Sequence, residues 1–284
     1  MSSMKSTNRR SVWLATSSLL ASTAGAALLA VGGLALTPSA ALAIDECGVG
    51  SNVTCTPAGN PYPNGVFYIP ATDFTINMQN GVVINTGGSF GIGLLVVQGG
   101  PTESITVNAP TGVTITTTDD GAFGALLATN AGAITANIDT INTSGANAIG
   151  VLGTSADGAV NLTVGTVRTT GIGASGIEGN TNTGAVTIAS TLVTTTGANS
   201  EGIVATSDNG AILVTSNVVT TADTAANGIR AASTFGNTTV NSTRVTTAGA
   251  GTTGISAGSA TGLARVTSGT VITTGAGSTG ITCG

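Results

Sequence analysis

The chain contains no histidine, and its single lysine, Lys5, lies near the N-terminus. Two common general acid–base groups are therefore absent from the body of the protein. Charge is scarce as well: charged residues make up 7% of the sequence and aromatics 3%. Beyond residue 43 the only cations are Arg168, Arg230, Arg244 and Arg265, set against 12 acids, for a net charge of −8. Phosphate backbones need clustered cations to offset their charge. Four scattered arginines form no basic stripe, and nucleic acid is excluded as a partner. Proline stops at Pro110, and Phe235 is the only aromatic after Phe123. Disorder does not follow from this poverty. The 43 glycines are interleaved with Val, Ile and Thr, the residues that favour strands.

The first residues differ from the rest. Lys5, Arg9 and Arg10 precede the apolar run "WLATSSLLASTAGAALLAVGGLAL", which Pro38 breaks before "ALA" at 41–43. A basic start, an apolar stretch and small residues at −3 and −1 form a secretory signal, with cleavage expected between Ala43 and Ile44. The alternative is an uncleaved anchor, since the run is long enough to span a bilayer. The pair Arg9–Arg10 bears a faint likeness to a twin-arginine signal. Val stands where such signals prefer Phe, which favours the general secretion translocase. Cys47 and Cys55 bracket the short loop "CGVGSNVTC", and in an exported chain this reads as a disulfide clasp. Prolines 57, 61, 63 and 70 and the aromatics between Tyr62 and Phe74 mark residues 44–80 as an N-terminal cap, expected to lie over an open sheet edge.

The remainder repeats. Gly124, Gly150, Gly176, Gly202, Gly228, Gly254 and Gly280 are spaced by 26 without a slip. The residue after each is Ala125, Val151, Ile177, Ile203, Ile229, Ile255 or Ile281. Position 12 beyond the glycine reads Ala136, Leu162, Ile188, Val214, Val240, Val266; position 17 is β-branched from Ile141 to Val271; position 19 is always Thr, from Thr143 to Thr273. Apolar residues in steps of two signify strands. The pattern predicts three short strands per repeat between glycine-rich turns. One repeat cannot bury its own apolar side, so repeats must stack.

The fold expected is all-β: a right-handed parallel β-helix, a solenoid with 26-residue rungs. Parallel crossovers are overwhelmingly right-handed. Residues 81–123 form irregular first rungs and residues 124–284 the regular repeats. The Thr column is ambiguous; it faces either the core or the surface. An outer-membrane barrel is excluded, because its strands are longer and carry aromatic girdles.

This periodicity also decides the segment "GIGASG" at 171–176. It matches the dinucleotide pattern G-x-G-x-x-G, but it belongs to a repeated turn with no long helix behind it. Nucleotide binding is not expected. The adjacent acids Asp119 and Asp120 precede Gly121 in a turn and read as hydrated turn residues. Asp157 in "SADG" and Asp208 in "SDNG" cap bends rather than forming the tandem aspartates of a calcium repeat. The arginines fall in different columns at different heights, so no catalytic constellation, metal site or cofactor site is assigned.

The signal, then "CGVGSNVTCTPAGNPYPNGVFY" at 47–68, then Gly/Thr/Val/Ala rungs, resembles the N-terminal part of autotransporter proteins of alphaproteobacteria. That resemblance is architectural and carries no catalytic motif. It implies a β-helical passenger displayed on or released from the cell surface, with an outer-membrane barrel for delivery. Faces lined with Thr, Ser and Asn suit weak, water-bridged contacts, so host or surface glycans or proteins are the expected partners. No barrel segment is legible in these 284 residues. The last partial rung ends in "GITCG", where Cys283 occupies an inward column of small residues or would form a second clasp. The competing reading is a pectin lyase-like β-helix that binds or cleaves polysaccharide with active residues outside this chain.

Overall fold

The computed structural model describes residues 46–87 and 91–284. The expected leader, 1–43, and the Ala43–Ile44 junction lie outside the described residues. The described strands stack in parallel into two sheets, one of ten strands and one of nine, in a β-solenoid of about nine turns. At about 4.8 Å per rung the stack is roughly 40 Å long.

Each regular rung supplies one strand to each sheet. Ile177–Thr181 enters the short-strand sheet, and Val186–Thr195 enters the long-strand sheet. The next rung repeats this with Ile203–Ser207 and Ile212–Ala222. The register is the sequence period itself: Ile177 pairs with Ile203, Ile188 with Val214 and Val193 with Val219. Ile115 and Thr117 already stand in this register, paired with Ile141 and Thr143.

The expected three strands are two. Along Val186–Thr195 the buried residues are Val186 and Ile188, then Val193 and Thr195. The inward parity changes between Ser190 and Leu192, where Thr191 has no cross-strand partner in the register. One unpaired residue lets the strand turn a corner without ending. No glycine-rich turn is required, so the second and third expected strands are a single bent one.

The core is a set of like-on-like columns. Leu162, Ile188, Val214 and Val240 are at most 1% exposed, as are Val167, Val193, Val219 and Val245. Burying each side chain contributes roughly 1.5–3 kcal/mol before chain entropy is counted. Sizes are matched across the solenoid. A methyl group built on Gly153 would lie 3.0 Å from Leu162 Cδ2, and one on Gly179 would lie 3.2 Å from Ile188 Cδ1. Column 3 of the repeat therefore faces column 12. Reading the two together gives Leu127 with Ala136, Gly153 with Leu162, Gly179 with Ile188 and Ala205 with Val214. A large residue on one sheet meets a small one on the other, which is how a close-packed interior keeps its volume.

The Thr column faces inward. Thr143, Thr169, Thr195 and Thr221 are at most 2% exposed. Their hydroxyls donate to the carbonyls of Ala148, Ala174, Ser200 and Ala226 at 2.7–3.1 Å. Each bond ties the strand end to the turn that follows it. The periodic pattern alone does not single out a second hydroxyl column. Ser155, Thr181, Ser207 and Ser233 are buried at the ends of the short strands. The Ser207 hydroxyl accepts the Gly210 N–H at 2.8 Å and donates to the carbonyl of Gly184, one rung earlier, at 3.0 Å. This closes buried backbone groups that the turn would otherwise leave unpaired.

One turn position holds a left-handed backbone in successive rungs: Asn147, Gly173, Asn199, Ala225, Gly251 and Gly277, with φ between 53° and 70°. Gly and Asn tolerate this region, and Ala does so less readily.

The segment 44–80, expected as a cap over the edge, contributes strands Asn52–Cys55, Val66–Tyr68 and Phe74–Met78 to the two sheets. Three of its four aromatics are buried, Tyr62, Tyr68 and Phe74 at 3%, 6% and 1% exposed, and Phe67 is half-buried. Tyr68 stacks obliquely on Phe74, with ring centroids 4.6 Å apart. The Tyr68 hydroxyl donates to the Gly48 carbonyl at 2.9 Å and accepts the Cys47 N–H at 3.2 Å. Cys47 and Cys55 are joined by a disulfide, with Cα atoms 4.5 Å apart.

Candidate functional site

The corner of the long strands leaves a trough on the outer surface, with a volume of about 350 Å³. Its geometry follows from the repeat. Outward residues before the corner, Asn137, Thr163, Ala189 and Thr215, stand one above another along the solenoid axis. Asp139, Gly165 and Thr191 occupy the corner itself, and Ile138, Val164 and Ser190 lie beneath. Pro110 and Thr111 line one end. They belong to Ile105–Thr117, a long strand whose register shifts between Ala109 and Thr114. The extra residues there bulge outward and wall the trough.

Asp139 is the only charged residue in the lining. Its Oδ2 accepts the Gly112 N–H at 2.8 Å. Its Oδ1 lies beside Gly165, where a methyl group would come within 3.1 Å of it. The trough thus offers hydroxyls, an amide and one carboxylate oxygen, with no cation.

A second cluster stands on the outer face of the short-strand sheet. Leu152, Glu178, Val204 and Arg230 are successive cross-strand neighbours. Arg230 passes over Val204, which is only 3% exposed, and reaches Glu201 at the preceding turn. The pair is bidentate: Nε lies 2.8 Å from Oε1, and Nη2 lies 2.8 Å from Oε2. Asn227 donates to the same carboxylate at 3.0 Å. Burial pushes the Glu178 carboxyl above its ordinary value; the Ser175 hydroxyl opposes this, the Glu201 charge adds to it and Arg230 opposes it. Column position had marked Arg230 as isolated. A guanidinium on a long stem instead reaches Glu201 across the rungs and lends its charge to Glu178 as well. Sequence reasoning missed the pairing because Glu201 lies 29 residues from Arg230, an interval that is not the repeat; the available signal was that Glu178 and Arg230 are opposite charges two periods apart in one column.

The remaining predicted residues are dispersed. Asp120 accepts the Ala146 N–H at 2.7 Å and closes a turn between rungs. Asp119 is partly buried, with Oδ2 lacking a hydrogen bond among the described residues. Asp157 accepts from the Thr183 hydroxyl at 3.1 Å in the rung above. Gly171–Gly176 forms a turn that runs straight into strand Ile177–Thr181, with no helix end to meet a phosphate. Cys283 ends the strand Thr279–Cys283, exposed, with its thiol 3.2 Å from the Ala264 carbonyl. Among the described residues no three His, Cys, Asp or Glu side chains gather as a metal-ligand set.

No family model, curated protein or solved structure matches the chain.

Proposed function

We propose that the protein is an exported, non-enzymatic β-solenoid passenger of the autotransporter kind, which presents a long polar surface for adhesion. The observation that carries this reading is the division of labour within the rung. Inward columns are aliphatic or hydroxyl-bearing, and most of those hydroxyls are closed on nearby backbone. Outward columns of the long-strand sheet are chiefly Thr and Asn, as in Asn142, Thr194, Thr220 and Thr246. A stiff scaffold with repeated hydroxyls and amides suits many weak, water-bridged contacts that add through multivalency.

Display of residues 44–284 on a bacterial surface, fused to a translocating barrel, tests the reading. Cells carrying it should adhere to glycan- or protein-coated surfaces above the level of barrel-only cells. Equal adhesion of the two would sink the proposal.

The Glu178–Glu201 pair is the one observation favouring polysaccharide cleavage instead. Two carboxylates held in unlike environments are the raw material of acid–base catalysis. They stand on an outer sheet face away from the trough, and Glu201 is committed to Arg230. No release of reducing or unsaturated ends is expected from neutral or acidic polysaccharides. Turnover that disappears in Glu178→Gln would promote the enzyme reading.

A further inference from the structure

We propose that the trough at the corner of the long strands binds an extended, uncharged oligosaccharide lying along the solenoid axis. The inference rests on the adhesive reading and names the ligand class and the residues for it.

Three features point to this ligand. The first is shape. The lining crosses the rungs of Pro110, Asn137, Thr163, Ala189 and Thr215, so the trough is linear and runs roughly 19 Å along the stack. A sugar unit in an extended chain is about as long as one rung, so successive units meet equivalent positions. The second is chemistry. Thr163, Thr191 and Thr215 each supply a hydroxyl that both donates and accepts, and Asn137 supplies an amide that does the same. Sugar hydroxyls require this mixture. Ala189 and Gly165 leave room between them for the ring itself. The third is charge. The lining has no Lys or Arg, and its single charge is the Asp139 carboxylate. One Asp139 oxygen is held by Gly112, and the other is left as an acceptor for a ligand hydroxyl. An acidic glycan would meet repulsion with no cation to offset it. The bulged end at Pro110 and Thr111 gives the trough one walled side, which limits how far the chain slides.

The test uses the mature chain and neutral gluco-oligosaccharides from disaccharide to hexasaccharide, followed by titration calorimetry. Affinity should tighten with each added unit up to the pentasaccharide and then level off, reaching about the millimolar range or better. Uronic-acid oligosaccharides of equal length should bind several-fold more weakly. Ala189→Arg places a long side chain across the middle of the trough from an outward position, so folding is retained; far-UV circular dichroism checks this. That variant should lose binding. Thr187→Arg, outward on the same strand but outside the lining, should keep it.

Binding that ignores chain length, prefers the acidic series or survives Ala189→Arg overturns the proposal. A Ser/Thr-rich peptide that binds where the oligosaccharides do not also overturns it. Displayed cells separate this proposal from the adhesive reading. Equal adhesion by wild type and Ala189→Arg removes the trough and leaves adhesion standing. Absence of adhesion alongside length-dependent titration removes adhesion and leaves the trough.

Discussion

Gly179 and Ile188 face one another across the core, and their sizes should be energetically coupled. A methyl group on Gly179 would lie 2.9 Å from Val186 Cγ1 and 3.2 Å from Ile188 Cδ1. Gly179→Ala therefore overpacks the interior, at about 1–3 kcal/mol. Reduced freedom of the unfolded chain returns about 0.4–1 kcal/mol, leaving a net loss of about 1–2 kcal/mol. Ile188→Val deletes Cδ1 from a fully buried side chain and costs about 0.5–1.5 kcal/mol. In the double variant the new methyl occupies the space Cδ1 vacated. The following rung already uses this pair, as Ala205 and Val214. The double variant should lose only about 1 kcal/mol, a favourable coupling of about 1 kcal/mol or more. Contact with Val186 remains, so full recovery is not expected. Residues 44–284 lack tryptophan, the only one being Trp13, so urea unfolding of that segment should be followed by far-UV circular dichroism. Additive losses, within about 0.3 kcal/mol, would refute the claim that columns 3 and 12 compensate one another.

Other outcomes follow from single side chains. Thr195→Val keeps the shape but removes the donor to the buried Ser200 carbonyl, and should cost about 1–3 kcal/mol, whereas Thr194→Val on the outer face should change stability by less than about 0.5 kcal/mol. Comparable losses at the two sites would contradict the inward assignment of the column. Ala225→Gly relieves a non-glycine residue at φ 53° and should stabilise by about 0.5–1 kcal/mol in the same assay. Glu178→Gln should stabilise at neutral pH and have little effect well below the ordinary glutamate pKa. The raised folded-state value means the native protein holds its proton to higher pH than the unfolded chain, so wild-type stability falls as pH rises from the ordinary value through the raised one; a pH-independent difference would assign the effect to packing. Intact mass of periplasmic protein under non-reducing conditions should show Cys47 and Cys55 bonded, and two free thiols there would remove the clasp.

Much of the fold is determined by repetition within the sequence itself. In a parallel stack each residue's nearest neighbours are its own counterparts one period away, so the columns at Ile177, Ile188 and Val193 could be read before any coordinates. Each rung buries what the next rung needs buried, and the 26-residue interval needs no long-range information. Tertiary structure decided whatever crosses between columns. The corner at Thr191 is invisible in the pattern, because alternation on either side looks like two strands rather than one bent strand. Thr195 could have faced either way; the turn carbonyl of Ser200 draws it inward. The matching of Gly179 to Ile188 depends on which faces oppose each other across the core, a property of the closed cross-section rather than of the period. Arg230 meets Glu201 29 residues away, an interval that is not the repeat, because its long side chain reaches obliquely across rungs. The repeat fixed what stacks upon what, while the closed solenoid decided what meets across the core and over its surface.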